Sequence, residues 1–184
     1  MSVITRLTGK HGKLVEELAN LRGDMFRLAY SWCHQASLAD DLVQDAMSRG
    51  IAKIDQLRDP KGLKPWAFRI LVNVWRDHLR RQKPTDDIDN YVITDDSSPE
   101  QHWARQTIQE RVRAAVSKLP QGQRIVVSLV DLQDTSYAEA ADILGIPIGT
   151  IMSRLCRARR ALAEQLRDQE IPSVTPIHAK RSEQ

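Results

Sequence analysis

The 184-residue chain is expected to be all-α, with two small helical domains joined by an acidic linker. Apolar residues recur at helical spacing in separate stretches, such as Leu14, Leu18, Leu21, Met25 and Leu28, and again Ile151, Leu155, Ala158 and Leu162. No segment alternates apolar and polar residues long enough to argue for a sheet. Between Pro84 and Glu100 the helical period vanishes. That strip carries Asp86, Asp87, Asp89, Asp95, Asp96 and Glu100 without a lysine or arginine, and its Pro, Asp and Ser clusters are loop signals. It is long for a connection inside one domain. The expected division is a first domain over 1–83, a linker over 84–103, a second domain over 104–170 and a frayed tail over 171–184, where Pro172 and Pro176 stand among polar residues.

In the first domain the Leu14–Leu28 stripe predicts one helix, with a possible break near Gly23. Ser37 suits the N-cap of a second helix from Leu38 to about Ile54, with Asp40 and Asp41 in its first turn near the positive dipole end. A loop, Asp55 to Lys64, follows. Pro65 suits the first turn of a third helix, which should run to Lys83 and stop before Pro84. In that helix Trp66, Phe68, Ile70, Leu71, Val74, Trp75 and Leu79 interleave with Arg69, Asn73, Arg76, His78, Arg80, Arg81 and Lys83. Two readings stand side by side: rings that stack on exposed bases while arginines neutralise phosphates, or rings packed in a core beneath a wet basic face.

In the second domain, Ile125 to Leu132 is β-branched enough to pass for a strand, but it lies between helical patterns and is read as helix. Ser136 and Glu139 have capping-box spacing at the start of a short helix. Gly145 sits where that helix must end with a left-handed residue. A second helix opens near Gly149 and Thr150, leaving amides and a positive dipole end for a phosphate. It carries Arg154, Arg157, Arg159 and Arg160 and no acid over that stretch. This is the layout of a helix-turn-helix whose second helix enters a major groove. A helical hairpin with a solvated arginine face is the plainer alternative.

Bulk properties narrow the classes. Net charge is only +3, so the distribution carries the signal: basic segments flank the acidic strip. With 41% hydrophobic residues and no apolar run near the ~20 a span needs, no membrane span is expected. Met1 to Lys13 lacks the apolar core of a signal peptide, and a cytoplasmic protein is expected. Cys33 and Cys156 lie too far apart in sequence for metal-ligand spacing, so neither a disulfide framework nor a metal is expected. No nucleophile–base pair or phosphate loop stands out, so neither an enzyme nor a cofactor is expected.

Two blocks resemble the bacterial RNA polymerase sigma factors of the extracytoplasmic-function (ECF) type. One spans Leu21 to Lys83 and includes Ala39-Asp-Asp-Leu-Val-Gln-Asp-Ala46 and Trp66-Ala-Phe-Arg-Ile-Leu-Val-Asn-Val-Trp-Arg-Asp-His-Leu-Arg-Arg81; the other is Ser117-Lys-Leu-Pro-Gln-Gly-Gln-Arg124 with the helix-turn-helix through Leu162. Together they cover roughly two-thirds to three-quarters of the chain. The resemblance implies a region two bundle and a region four helix-turn-helix, in a subunit that binds core RNA polymerase, selects promoters and helps melt them, with an anti-sigma factor as a further partner. It implies polymerase contacts from Asp41, Leu42, Gln44, Asp45, Met47 and Arg49. It places Asn73 where an extruded minus-ten base is read, with Trp66 and Arg69 beside it and Arg76, Arg80 and Arg81 on phosphates. At the minus-thirty-five duplex it implies Gly149 and Thr150 on phosphate, Ser153, Arg154 and Arg157 at base edges or their flanks, and Arg159 and Arg160 on the backbone. Met152 departs from the lysine or arginine frequent at its position, and Cys156 stands where a larger side chain can touch bases. The acidic strip would stand in for nucleic acid in a positively charged channel, or serve as a plain tether. Other classes consistent with parts of the pattern are a sigma-like decoy that sequesters an anti-sigma protein and a dimeric helix-turn-helix repressor.

Overall fold

The computed structural model describes residues 10–57, 59–82 and 108–167, and all regular structure among them is helical. The Leu14–Leu28 stripe divides at Leu21 into α1 (Lys10–Asn20) and α2 (Arg22–Cys33), with Gly23 inside α2. His34 closes α2 in the left-handed region at φ 56°, its amide donating to the Tyr30 carbonyl at 2.8 Å. The chain turns so tightly there that α3 begins at Ala36 and runs to Lys53. Ser37 is therefore not the N-cap. Gln35 holds that place with no side-chain cap, and Ser37 is an exposed first-turn residue.

Two 3₁₀ turns, Ile54–Gln56 and Pro60–Gly62, fill half of the expected loop, the second capped by Asp59 accepting from the Lys61 amide at 3.0 Å. Helix α4 (Leu63–Gln82) starts two residues before Pro65. The ring is still within the first turn, where its missing N–H costs nothing. Buried Leu63 anchors that start. Helices α2, α3 and α4 pack on one another, with α1 laid across α3 and α4. Trp32 of α2 and Trp75 of α4 stack at 6.5 Å between ring centres. The approach of α1 to α3 depends on Gly50: a Cβ there would lie 3.0 Å from Leu18 Cδ2.

The second unit contains α5 (Ile108–Ser117), α6 (Gln121–Val127) continuing into a π-helical turn (Ser128–Leu132), α7 (Tyr137–Leu144) and α8 (Ile148–Arg167). The β-branched stretch is thus helical, its Val126, Val127 and Leu129 buried. The two units share one continuous apolar cluster, joined where α2 meets α5 and α6 and where α4 meets α7. The expectations for the acidic strip and for the tail after 170 fall outside the described residues.

Candidate nucleic-acid interface

The helix-turn-helix is built by local chemistry. Ser136 Oγ accepts from the Glu139 amide at 3.2 Å, and the Ser136 amide donates to Glu139 Oε2 at 3.1 Å, completing the capping box. The Ser136 hydroxyl also donates to that carboxylate, which holds the Glu139 carboxyl below its ordinary range. Gly145 ends α7 at φ 67°, as the turn requires. Ile151, Leu155 and Ala158 bury one side of α8 against α6 and α7, and Leu162 is half-buried.

The opposite side of α8 is open. Gly149, Ser153, Arg157 and Arg160 are exposed, while Thr150 and Arg154 are half-buried. Arg157 Nε donates to the Ser153 carbonyl at 3.2 Å, and Ser153 Oγ donates to the Thr150 carbonyl at 3.1 Å, so these side chains are held close to the helix start. Arg160 lies 3.9 Å from Glu164. Arg159 differs from its neighbours: its guanidinium grips Asp131 at 2.5 and 3.2 Å, tying α8 to the π-helical turn and raising the guanidinium's pKa further.

On α4, Trp66, Arg69, Asn73, Arg76 and Arg80 fall at i, i+3, i+7, i+10 and i+14 and share one face. Arg81 lies off it. Phe68 and Trp75 are core residues, so for them the packing alternative holds. Trp66 is half-buried near Gly50. Arg69 Nη2 donates to the Asp142 carbonyl at 2.6 Å and Arg76 Nη2 to the Leu144 carbonyl at 3.0 Å. Two arginines of the first unit thus cap the C-terminus of α7, where the carbonyls lack helical partners and the dipole is negative. Between them lies an open cleft of about 480 Å³, with Asn73 on one wall and the turn residues Gly145 to Pro147 on the other.

The polymerase-contact candidates on α3 divide. Asp41 and Gln44 are exposed, Asp45, Met47 and Arg49 are half-buried, and Leu42 is a core residue only 4% exposed. Arg49 makes a two-pronged contact with Asp45 at 2.8 Å for each prong and reaches Asp77 of α4 at 3.1 Å. That bond from Arg49 holds the Asp77 carboxyl below its ordinary range. The apolar feature of the outer face is Ile51, 45% exposed, which the sequence reading passed over. Position 51 lies two helical turns after Gln44 on the same face, the signal that could have found it.

Arg124 was also missed as an individual residue. It is 1% exposed, and its guanidinium donates to the carbonyls of Trp32 at 2.8 Å, Leu119 at 2.9 Å and Ser117. Trp32 belongs to the last turn of α2, so this arginine caps a helix of the other unit. Burial lowers its pKa to about 10, and it stays charged at neutral pH. A second opening of about 500 Å³ lies between α2 and α5, lined by Phe26, Tyr30, Val112, Val116 and Leu132. Among the described residues no helix is long and apolar enough to cross a membrane, and no cluster of His, Cys, Asp or Glu is placed to hold a metal.

Comparison with known proteins completes the picture. Residues 18–85 match the family model for Sigma-70 region 2, and residues 109–162 match that for Sigma-70 region 4. The chain is 41% identical to the ECF RNA polymerase sigma factor EcfG of Rhodopseudomonas palustris over 140 residues, covering 75% of this chain and 76% of that protein. It is 29% identical to the ECF sigma factor SigW of Bacillus subtilis, over 78% of this chain and 83% of the relative. Among solved structures, the sigma factor RpoE in complex with the anti-sigma factor NepR from Bartonella quintana is similar with a TM-score of 0.69 and 29% identity, over 84% of this chain and 97% of that one. Two basic helical units in this order, each matched by its own family region, make the chain a member of the ECF RNA polymerase sigma factors, the promoter-specificity subunits of RNA polymerase.

Proposed function

We propose that this sigma factor grips promoter DNA at two points and core polymerase at a third. The observation that carries the reading is the single face of α4 on which Asn73 stands among Arg69, Arg76 and Arg80. An amide offers both a donor and an acceptor to a base edge, and a base is cheapest to hold out of the stack when the strand is already open. Asn73 therefore reads a minus-ten base, the three arginines and Arg81 follow the phosphates, and half-buried Trp66 borders the face and packs near Gly50 of α3. On α8, Ser153, Arg154 and Arg157 address base edges of the minus-thirty-five duplex, and Gly149, Thr150 and Arg160 its phosphates. Arg159 reaches phosphate only by giving up Asp131.

Asp41, Gln44 and Ile51, with Asp45 and Met47 at the margin, form the polymerase-docking face of α3; Leu42 and Arg49 support it from behind. The chain performs no chemistry of its own and acts in the cytoplasm, where the polymerase is. The complex formed by the RpoE relative supports control by an anti-sigma factor, which would seat on the apolar opening between α2 and α5.

Run-off transcription with purified core polymerase and a promoter library tests the whole reading, since failure to stimulate any promoter would sink it. At residue level, Arg157→Ala should weaken duplex binding by about 1–3 kcal/mol and relax selectivity at one base pair. Equal loss on every sequence would make it a phosphate contact. Asn73→Ala should leave duplex binding intact and reduce permanganate-reactive open complex. Unchanged melting removes Asn73 from that role.

A further inference from the structure

Ile148, Met152 and Cys156 occupy successive turns of α8 at i, i+4 and i+8. Ile148 is 49% exposed, Met152 54% exposed, and the Cys156 thiol is open to solvent. Scattered exposed apolar residues are ordinary on a protein surface. These are aligned, and they border Gly149 and Ser153 on the element that carries the arginines. Core packing does not account for them, because Ile151, Leu155 and Ala158 already fill the buried side of the helix.

We propose that this apolar edge reads the 5-methyl groups of thymine in the upstream promoter duplex, with Met152 making the main contact. The inference rests on the reading of α8 as the helix that enters the major groove and extends that reading to the base it selects. In the major groove a base pair displays hydrogen-bonding groups and one apolar feature, the thymine methyl. The first turns of a recognition helix come nearest the base edges, and Ile148 and Met152 lie in those turns. An unbranched, polarisable thioether adapts its shape to a methyl group without a directional demand. Arg157, bonded back to the Ser153 carbonyl at 3.2 Å, stands on the other side of Ser153 and presents the polar edge. The outer side of α8 thus has an apolar edge for thymine and a polar edge for hydrogen-bonding bases, side by side.

The test uses holoenzyme reconstituted from the full chain and core polymerase, on a promoter chosen for strong run-off transcription. Each thymine of its upstream element is replaced singly by deoxyuridine, which removes the methyl and leaves the hydrogen-bonding edge unchanged. At one or more positions binding should fall about fourfold, the value of one buried methyl group. Met152→Ala should weaken the thymine duplex by a similar factor and bind the thymine and deoxyuridine duplexes alike. Position 152 is exposed, so the variant should fold as the parent does, and an unchanged melting temperature checks this. Equal binding of thymine and deoxyuridine duplexes by the parent holoenzyme overturns the proposal, as does a preferred upstream element without thymine. If Met152→Ala keeps the thymine preference and instead loses a protein partner, the edge is a protein contact and the proposal is wrong. Failure of the parent to support transcription from any promoter would count against the promoter-binding reading itself, an outcome separate from all of these.

Discussion

Arg124 shows how one side chain can serve both units. It is buried, it has no carboxylate partner among its hydrogen bonds, and it spends its donors on carbonyls of Trp32, Ser117 and Leu119. Charge-assisted bonds of this kind contribute about 1.5–3 kcal/mol each, though they are not additive. Arg124→Met keeps the apolar stem and strips the donors, leaving carbonyls at the end of α2 and in the α5–α6 turn without partners. The expected loss is about 3 kcal/mol, read as a lower urea midpoint. A loss below 1 kcal/mol would show that water replaces the guanidinium. Residues of this type are hard to read from sequence. An arginine beside Ile125 and Val126 carries the same letter whether it faces solvent or a partner helix, and its partners here are backbone groups with no signature of their own. Leu42 is a similar case: the resemblance implies a polymerase contact for it among Asp41, Gln44 and Asp45, and its helical phase turns the leucine itself into the core.

At the scale of elements, local rules worked best where the stabilising groups are close in sequence. The capping box and the left-handed glycine are three and four residues from the groups they serve, so α7 and its turn were legible directly. The boundaries of α3 and α4 were missed by two residues each, because the left-handed His34 and buried Leu63 set them through tertiary packing. Two predictions belong here. Gly145→Ala meets no atom within 4 Å, so its cost is backbone strain alone, about 1–2 kcal/mol, with Gly145→Asn costing less. An alanine variant as stable as the parent would mean the turn had relaxed out of the left-handed region. Ser136→Ala should cost about 1 kcal/mol at neutral pH. The Ser136 hydroxyl is the main cause of the lowered Glu139 pKa. A lowered carboxyl contributes stability that is present above the ordinary glutamate range and lost as pH falls through the folded-state value. The gap between parent and variant should therefore shrink in acid; thermal melts at neutral and acidic pH measure it, and a constant gap would refute the coupling.

In the whole molecule, the two units are placed so that one promoter-reading face is open and the other borders a cleft between them. The outer side of α8 faces solvent, whereas Arg69, Asn73 and Arg76 face the end of α7 across the cleft. The carbonyls of Asp142 and Leu144 each take a guanidinium donor, from Arg69 and Arg76 respectively. Asn73 itself is exposed at the cleft, but a strand that follows Arg69 and Arg76 past the end of α7 is expected to part the units, which breaks these bonds and uncovers part of the shared core; the promoter must return at least that free energy. The contact between Ser31 of α2 and Ser128 of the π-helical turn offers a way to forbid parting, for their hydroxyls lie 2.8 Å apart, which brings the Cβ atoms close to the separation a disulfide bridges. A Ser31→Cys/Ser128→Cys protein, on a background where Cys33→Ala and Cys156→Ser remove the native thiols, should crosslink on oxidation. The oxidised form is expected to lose at least tenfold in run-off transcription and to recover on reduction, with the thiol-free background unaffected by either treatment. Transcription from the crosslinked form at the rate of the reduced form would show that the units do not need to part for Asn73 and its neighbouring arginines to meet the minus-ten strand.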